Sequence, residues 1–244
     1  MTSEHWIFLS PHFDDVVLSC GGLVYALAQD GHIVEIWTLM GGFPTTENYS
    51  DFANQNHKAW GMTGAAAIQM RRGEDQAACK VLGAQPHHFN WLDVIYRYDP
   101  DTNDPIVNNN HELFSRLPEI YIVDEIAQIL IREIPANAHV VGPMGLGSHI
   151  DHRAVKQAME VFPHTVNYYA DYPYILDHFD HSAITTNHFA KQPITLTQAA
   201  LKAWQDAVLC YASQLSGFWR DEGETRLAIR NYAVGGGGGL WRRN

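Results

Sequence analysis

The first forty residues constrain the fold more than any other stretch. An apolar run, Trp6-Ile7-Phe8-Leu9, reads as a short strand, and the polar turn Ser10-Pro11-His12-Phe13-Asp14-Asp15 follows it directly. Apolar positions at helical spacing (Val17, Leu18, Leu23, Val24, Leu27) then run through residues 14–30, with Gly31 as the expected stop. Ile33 to Leu39 is β-branched and apolar. Strand, helix, strand in that order is a βαβ unit, which requires two parallel strands. A histidine and two adjacent carboxylates are thereby set on a strand-to-helix turn, where open α/β sheets carry their reactive groups.

The alternation continues downstream. The pattern predicts an irregular connection over residues 41–60, a helix over 66–82 stopped by Gly83, and a strand near 88–92. Residues 98–118 are the most polar stretch and read as a long loop. A helix over 123–132, a strand at 139–142, a helix over 152–161, a strand at 166–170 and an amphipathic helix over 198–213 follow. Gly235 to Gly239 reads as a loop or tail rather than a phosphate cradle. No solenoid repeat and no domain boundary stands out, so residues 1–244 are expected to form a single α/β domain, a mostly parallel sheet flanked by helices.

Composition serves to exclude. At 46% hydrophobic, 244 residues can bury a substantial core, and no segment approaches a membrane span. A formal net charge of −11 argues against nucleic acid or an anionic membrane surface as partner. Cys20, Cys79 and Cys210 are widely spaced, without a CxxC pair, which fits a reducing cytoplasm better than a disulfide framework or a thiolate zinc site. The N-terminus lacks the basic and apolar regions of a secretion signal.

A second cluster, Gly147-Ser148-His149-Ile150-Asp151-His152, follows the strand at 139–142 and repeats the arrangement of the first. Two imidazoles and one carboxylate with open positions suit a catalytic zinc or iron ion, and the spacing selects His12, Asp15 and His152. Asp14, beside a ligand, is placed to take the proton of an activated water. His149 is placed to donate to an oxyanion, and Asp151 to fix the tautomer of a neighbouring imidazole. Spacing alone leaves ordinary structural roles open: short His-x-x-Asp pairs occur by chance, and Asp14 also suits a helix N-cap.

These motifs resemble those of a known family. Ser10-Pro11-His12-Phe13-Asp14-Asp15 is similar to the Pro-His-Pro-Asp-Asp signature of the PIG-L/LmbE-like zinc-dependent de-N-acetylases, and His149-Ile150-Asp151-His152 to their His-Pro-Asp-His signature. Arg71-Arg72-Gly73-Glu74, with Leu82-Gly83 beyond it, resembles the family's Arg-x-x-Glu helix. The resemblance, over residues 6–160, implies a Rossmann-like LmbE fold and Zn2+ held by His12, Asp15 and His152. It further implies Asp14 as general base, His149 at the oxyanion, Arg71 at the substrate, and an N-acetylated amino sugar or conjugate as substrate. Relatives are often oligomeric, which leaves a homo-oligomer open.

Asp93 and Tyr172 are further substrate-pocket candidates, with a solvated loop carboxylate the more ordinary reading of Asp93, and Trp60, Tyr96 and Tyr174 are candidates for stacking on a sugar. Specificity is expected in residues 41–60, 98–118 and 168–179. Phe13 and Ile150 replace the family's prolines, and Val16 replaces a frequent acidic residue. Gly147 and Ser148 stand where some relatives carry a tyrosine, so a tyrosine-assisted step would need Tyr172 or Tyr174 to reach in. Three other readings compete: a dinucleotide oxidoreductase, a non-haem iron enzyme on the same ligands, and a non-catalytic metal-binding homologue. The first lacks GxGxxG at the opening turn; the third has no use for Asp14 and His149.

Overall fold

In the computed structural model, which describes residues 2–163, 165–176, 189–192 and 194–243, the opening βαβ unit forms as its pattern predicts. β1 (His5–Ser10) leads into α1 (Asp15–Gln29), and β2 (Ile33–Thr38) returns parallel to β1. α2 (Asp51–Trp60), α3 (Gly64–Leu82) and β3 (Gln85–His88) follow, then α4 (Asn110–Ser115), α5 (Ile120–Glu133) and β4 (His139–Pro143). α6 (Ile150–Glu160), β5 (Val166–Tyr169), β6 (Phe189–Lys191), α7 (Gln198–Val208), α8 (Ala212–Leu215), α9 (Glu222–Val234) and β7 (Leu240–Arg243) complete the order.

The seven strands lie in the order β3-β2-β1-β4-β5-β7-β6. β1 through β5 are mutually parallel, and β7 runs antiparallel to both β5 and β6. This is the mostly parallel, helix-flanked α/β sheet expected. The last four residues of β1 are buried, as a parallel strand covered on both faces requires. β1 has β2 on one side and β4 on the other, so the strand order reverses there. The turns leaving β1 and β4 therefore emerge side by side at the carboxyl edge, although more than 100 residues separate them.

Several local expectations need correction. The connection over 41–60 holds α2, capped by Ser50, whose hydroxyl accepts the Ala53 N–H. The strand expected near 88–92 lies earlier, at β3, and the polar 98–118 segment contains α4. The 198–213 helix ends at Val208. The glycine run is a loop, as one of the two readings had it, and it delivers the chain into β7. Residues 177–179 of the aromatic stretch lie outside the described residues.

One packing contact fixes the site's first helix. The Trp204 indole N–H donates to the Val17 carbonyl at 2.6 Å, and α1 leaves helical geometry at Cys20 (φ −151°, ψ 27°). Gly21 permits this approach, since a Cβ there would sit 2.6 Å from the indole ring. Among the described residues no helix is long and apolar enough to cross a membrane.

Candidate metal centre and active site

Three neighbouring strands contribute to one pocket. The turn after β1 brings His12, Asp14 and Asp15, the turn after β4 brings His149, Asp151 and His152, and the segment after β5 brings Asp171 to Tyr174. All of these residues but Asp151 and Asp171 line the pocket, which has a volume of about 230 Å³.

Asp15 sits between the two imidazoles. One carboxylate oxygen is 3.2 Å from His12 Nδ1 and the other is 3.3 Å from His152 Nε2. The far nitrogen of each ring meets another carboxylate: His12 Nε2 lies 3.1 Å from Asp151, and His152 Nδ1 lies 2.7 Å from Asp171. A carboxylate accepts only, so the outer nitrogens donate to Asp151 and Asp171, while the inner nitrogens face Asp15, where a bound cation would take the place of a proton. Imidazoles oriented this way by carboxylates are the usual preparation for binding a metal ion.

Among the described residues, two groups of possible ligand atoms lie within 4.8 Å of one another: those of His12, His149 and His152, and those of His12, Asp93 and Asp151. Hydrogen bonding separates these sets chemically. His149 caps α6, its Nδ1 accepting the Asp151 N–H at 3.2 Å, which leaves the proton on Nε2 and makes that atom a donor. Asp151 is already committed to Arg97 Nη2 at 2.7 Å and to the Val94 N–H at 3.1 Å. That leaves His12, Asp15 and His152 as residues that could hold a cation.

Charges follow the same logic. Burial works against the charge on His152, but Asp15 and Asp171 outweigh it and lift its pKa to about 9. His12 is likewise raised, against burial, by Asp15 and Asp151. Burial lowers His149 and the neighbouring histidines lower it further, so it stays neutral. Burial raises the carboxyl of Asp14, with Arg71 opposing.

Asp14 occupies the N-cap position of α1 without making a capping hydrogen bond. That cap is supplied by Ser10 Oγ, which accepts the Val16 N–H at 3.2 Å. Asp14 instead faces the pocket and pairs with Arg71 Nη2 at 3.2 Å. Arg71 does not pair with Glu74 of its own helix. Glu74 accepts the N–H and hydroxyl of Ser213, and the Arg71 guanidinium stacks near Phe13 and Trp60 at 5.3 and 5.6 Å.

Asp93 is buried in the pocket wall, 3.8 Å from His12 Nε2, rather than solvated on a loop. Trp60, Tyr172 and Tyr174 line the pocket, whereas Tyr96 is a packing residue whose hydroxyl is 2.8 Å from His57. Tyr172 is mostly occupied by a stack on Tyr232 at 4.3 Å. Tyr174 lies edge-on to His152 at 5.8 Å, over Gly147, where any Cβ would meet its ring at 2.6 Å. A tyrosine therefore does reach this pocket, from the strand next to the one that carries the second histidine cluster.

Sequence reasoning gave no role to Asp171 or Arg97. Asp171 follows a strand end beside β4, a positional signal available in hindsight. Arg97 lies just before the polar stretch, and nothing in its neighbourhood marks a partner 54 positions away.

Residues 7–162 match the PIG-L family, described as GlcNAc-PI de-N-acetylase. The chain belongs to this family. Its members' amide-hydrolysing deacetylase activity gives the protein its enzyme class. The 2'-N-acetylparomamine deacetylase of Niallia circulans is 26% identical over 91% of this chain and 85% of its own length. The zinc-inhibited form of teicoplanin deacetylase Orf2 superposes with a TM-score of 0.77 at 28% identity, covering 98% of this chain and 97% of that one. The A40926 pseudoaglycone deacetylase Dbv21 gives 0.71 at 26% identity, covering 99% and 97%.

Proposed function

We propose that the protein is a zinc-dependent N-deacetylase acting on an N-acetylated amino sugar attached to a larger group. The observation carrying this reading is the convergence of two imidazoles on Asp15, each ring tied behind by its own carboxylate. His12, Asp15 and His152 would hold a zinc ion, which would supply Lewis acidity and lower the pKa of a water to about 7. The relatives' names, 2'-N-acetylparomamine deacetylase, teicoplanin deacetylase and A40926 pseudoaglycone deacetylase, support the substrate class.

In this reading Asp14 accepts the proton of the attacking water and passes it to the nitrogen of the departing amine. Its burial assists the second transfer, because a buried carboxyl holds a proton less reluctantly at first and releases it to a more basic amine. His149 Nε2–H donates to the acetyl oxygen as negative charge develops, a contribution of about 3 kcal/mol for a donor of this kind. Asp151 holds the His12 tautomer. Arg71 keeps Asp14 ionised and offers its remaining donors to the sugar, with Asp93 and Tyr172 on the surrounding wall and Tyr174 over the metal ligands.

The test is acetate release from a panel of N-acetylated sugars and conjugates, assayed anaerobically with zinc as the only metal. Turnover without oxygen separates hydrolysis from iron–oxygen chemistry. Asp14→Ala should retain zinc and lose about 100-fold or more in kcat, whereas His152→Ala should lose zinc itself. A fully active Asp14→Ala enzyme overturns the assignment of the base.

A further inference from the structure

A second cavity, of about 390 Å³, adjoins the catalytic pocket. The two share Tyr172 as a wall. Pro173 and Tyr174 face the pocket while Ile175 and Leu176 face the cavity, and Phe218 and Trp219, with ring centroids 5.5 Å apart, divide in the same way. Bounded by described residues, the cavity has the volume of a site for a bound organic group.

The walls state the chemistry. Tyr172, Trp219, Tyr232, Trp241 and Leu176 give the cavity flat aromatic and aliphatic surface. Its rim is the glycine run that leads into β7. No side chain can be added there cheaply: a Cβ on Gly237 would come 2.3 Å from the Tyr232 ring, and one on Gly238 would come 2.8 Å from Trp204. Lys191 is the one charged side chain among the described lining residues. It makes no ion pair among the described residues, and its Nζ lies 5.4 Å from the Trp241 ring centroid. In a chain of net charge −11, a cation without an ion pair among the described residues, set at an apolar cavity, selects for a ligand of negative charge.

We propose that this cavity binds the non-sugar part of the substrate, a flat aromatic group bearing a carboxylate or similar anion that Lys191 pairs. The proposal rests on the amino-sugar reading above: the acetamide enters the catalytic pocket and the aromatic group crosses beside Tyr172. Gly235 to Gly239 keep the rim low enough for it to enter.

The first measurement is independent of catalysis. The zinc-loaded full chain is titrated with 8-anilinonaphthalene-1-sulfonate, an aromatic anion, by fluorescence. One probe per chain is expected, with binding weakened about fivefold or more in Lys191→Ala and abolished in Ala228→Trp, which fills the cavity from α9. Ala228→Leu, a milder filling, and a thermal melt of each variant exclude misfolding as the cause. Equal probe binding by wild type and all variants overturns the site.

The second measurement compares kcat/KM for 4-carboxyphenyl N-acetylglucosaminide and for N-acetylglucosamine. Wild type should favour the aryl conjugate by about tenfold, equivalent to about 1.4 kcal/mol. Lys191→Ala and Ala228→Trp should lose that preference while their turnover of N-acetylglucosamine stays unchanged. No preference in wild type overturns the assignment to the substrate. If no sugar is deacetylated while probe binding still depends on Lys191 and Ala228, the functional reading fails and the cavity survives as a site for another ligand.

Discussion

Replacing Arg71 by glutamine isolates the electrostatics on which the proposed base depends. The Arg71 guanidinium lies 3.2 Å from Asp14, and the two side chains are only 7% and 9% exposed, so solvent screens the pair weakly. At an effective dielectric of about 20, two unit charges at that separation interact by about 5 kcal/mol, an upper bound before reorganisation. Carboxylates beside an arginine are typically held down by about one to three pKa units. Burial already raises Asp14, and Arg71 is the main group opposing it. A neutral amide in place of the guanidinium removes that opposition, so Asp14 should stay protonated to higher pH. A base must be deprotonated to act, and activity must therefore be lost on the acidic side first. The expected result is an acid limb of kcat/KM displaced upward by about one to three pH units, with Arg71→Lys restoring it towards its original position. Loss of a substrate contact alone would lower the whole profile without moving the limb. An unmoved limb in Arg71→Gln refutes the claim that Arg71 governs the ionisation of Asp14.

Further outcomes follow from other contacts. Asp171→Ala should weaken zinc affinity about 10- to 100-fold, measured by chelator competition, because His152 loses the carboxylate that fixes its tautomer. Arg97→Met leaves the fully buried Asp151 without its cation and should cost about 3 kcal/mol in urea denaturation. Burial opposes the charge on Asp151, but Arg97 and His12 outweigh it and hold the carboxyl well below the usual range. Its contribution to stability is therefore complete above the unfolded carboxylate's pKa of about 3.9 and shrinks as pH falls below it. Acid unfolding curves of wild type and Asp151→Asn should accordingly converge at low pH. Gly21→Ala drives a methyl into the Trp204 indole and should destabilise by about 1–3 kcal/mol in thermal melts.

The extent to which the site was legible in the sequence differs residue by residue. His12, Asp14 and Asp15 were readable because the βαβ pattern is local, and a turn between a strand and a helix sets its own side chains within a few ångströms of one another. His149, Asp151 and His152 were readable for the same reason, with the strand before them. α2 and β7 were missed because their residues carry weak patterns: α2 is short and polar, and β7 follows a run of glycines that by itself implies only freedom. The tyrosine that reaches the pocket was legible only as a possibility, since Tyr172 and Tyr174 stand in one short segment and packing alone separates their roles.

By itself, the sequence determined the chemistry available at each strand end: two imidazoles, their adjacent carboxylates, and an arginine on a following helix. Tertiary structure alone decided that these ends meet, because β4 inserts beside β1 where the strand order reverses. It also decided which nitrogen of each ring faces Asp15. That choice depends on Asp151 and Asp171 approaching from behind, and hydrogen-bond partners so distant along the chain are set by the packing of the sheet rather than by local pattern.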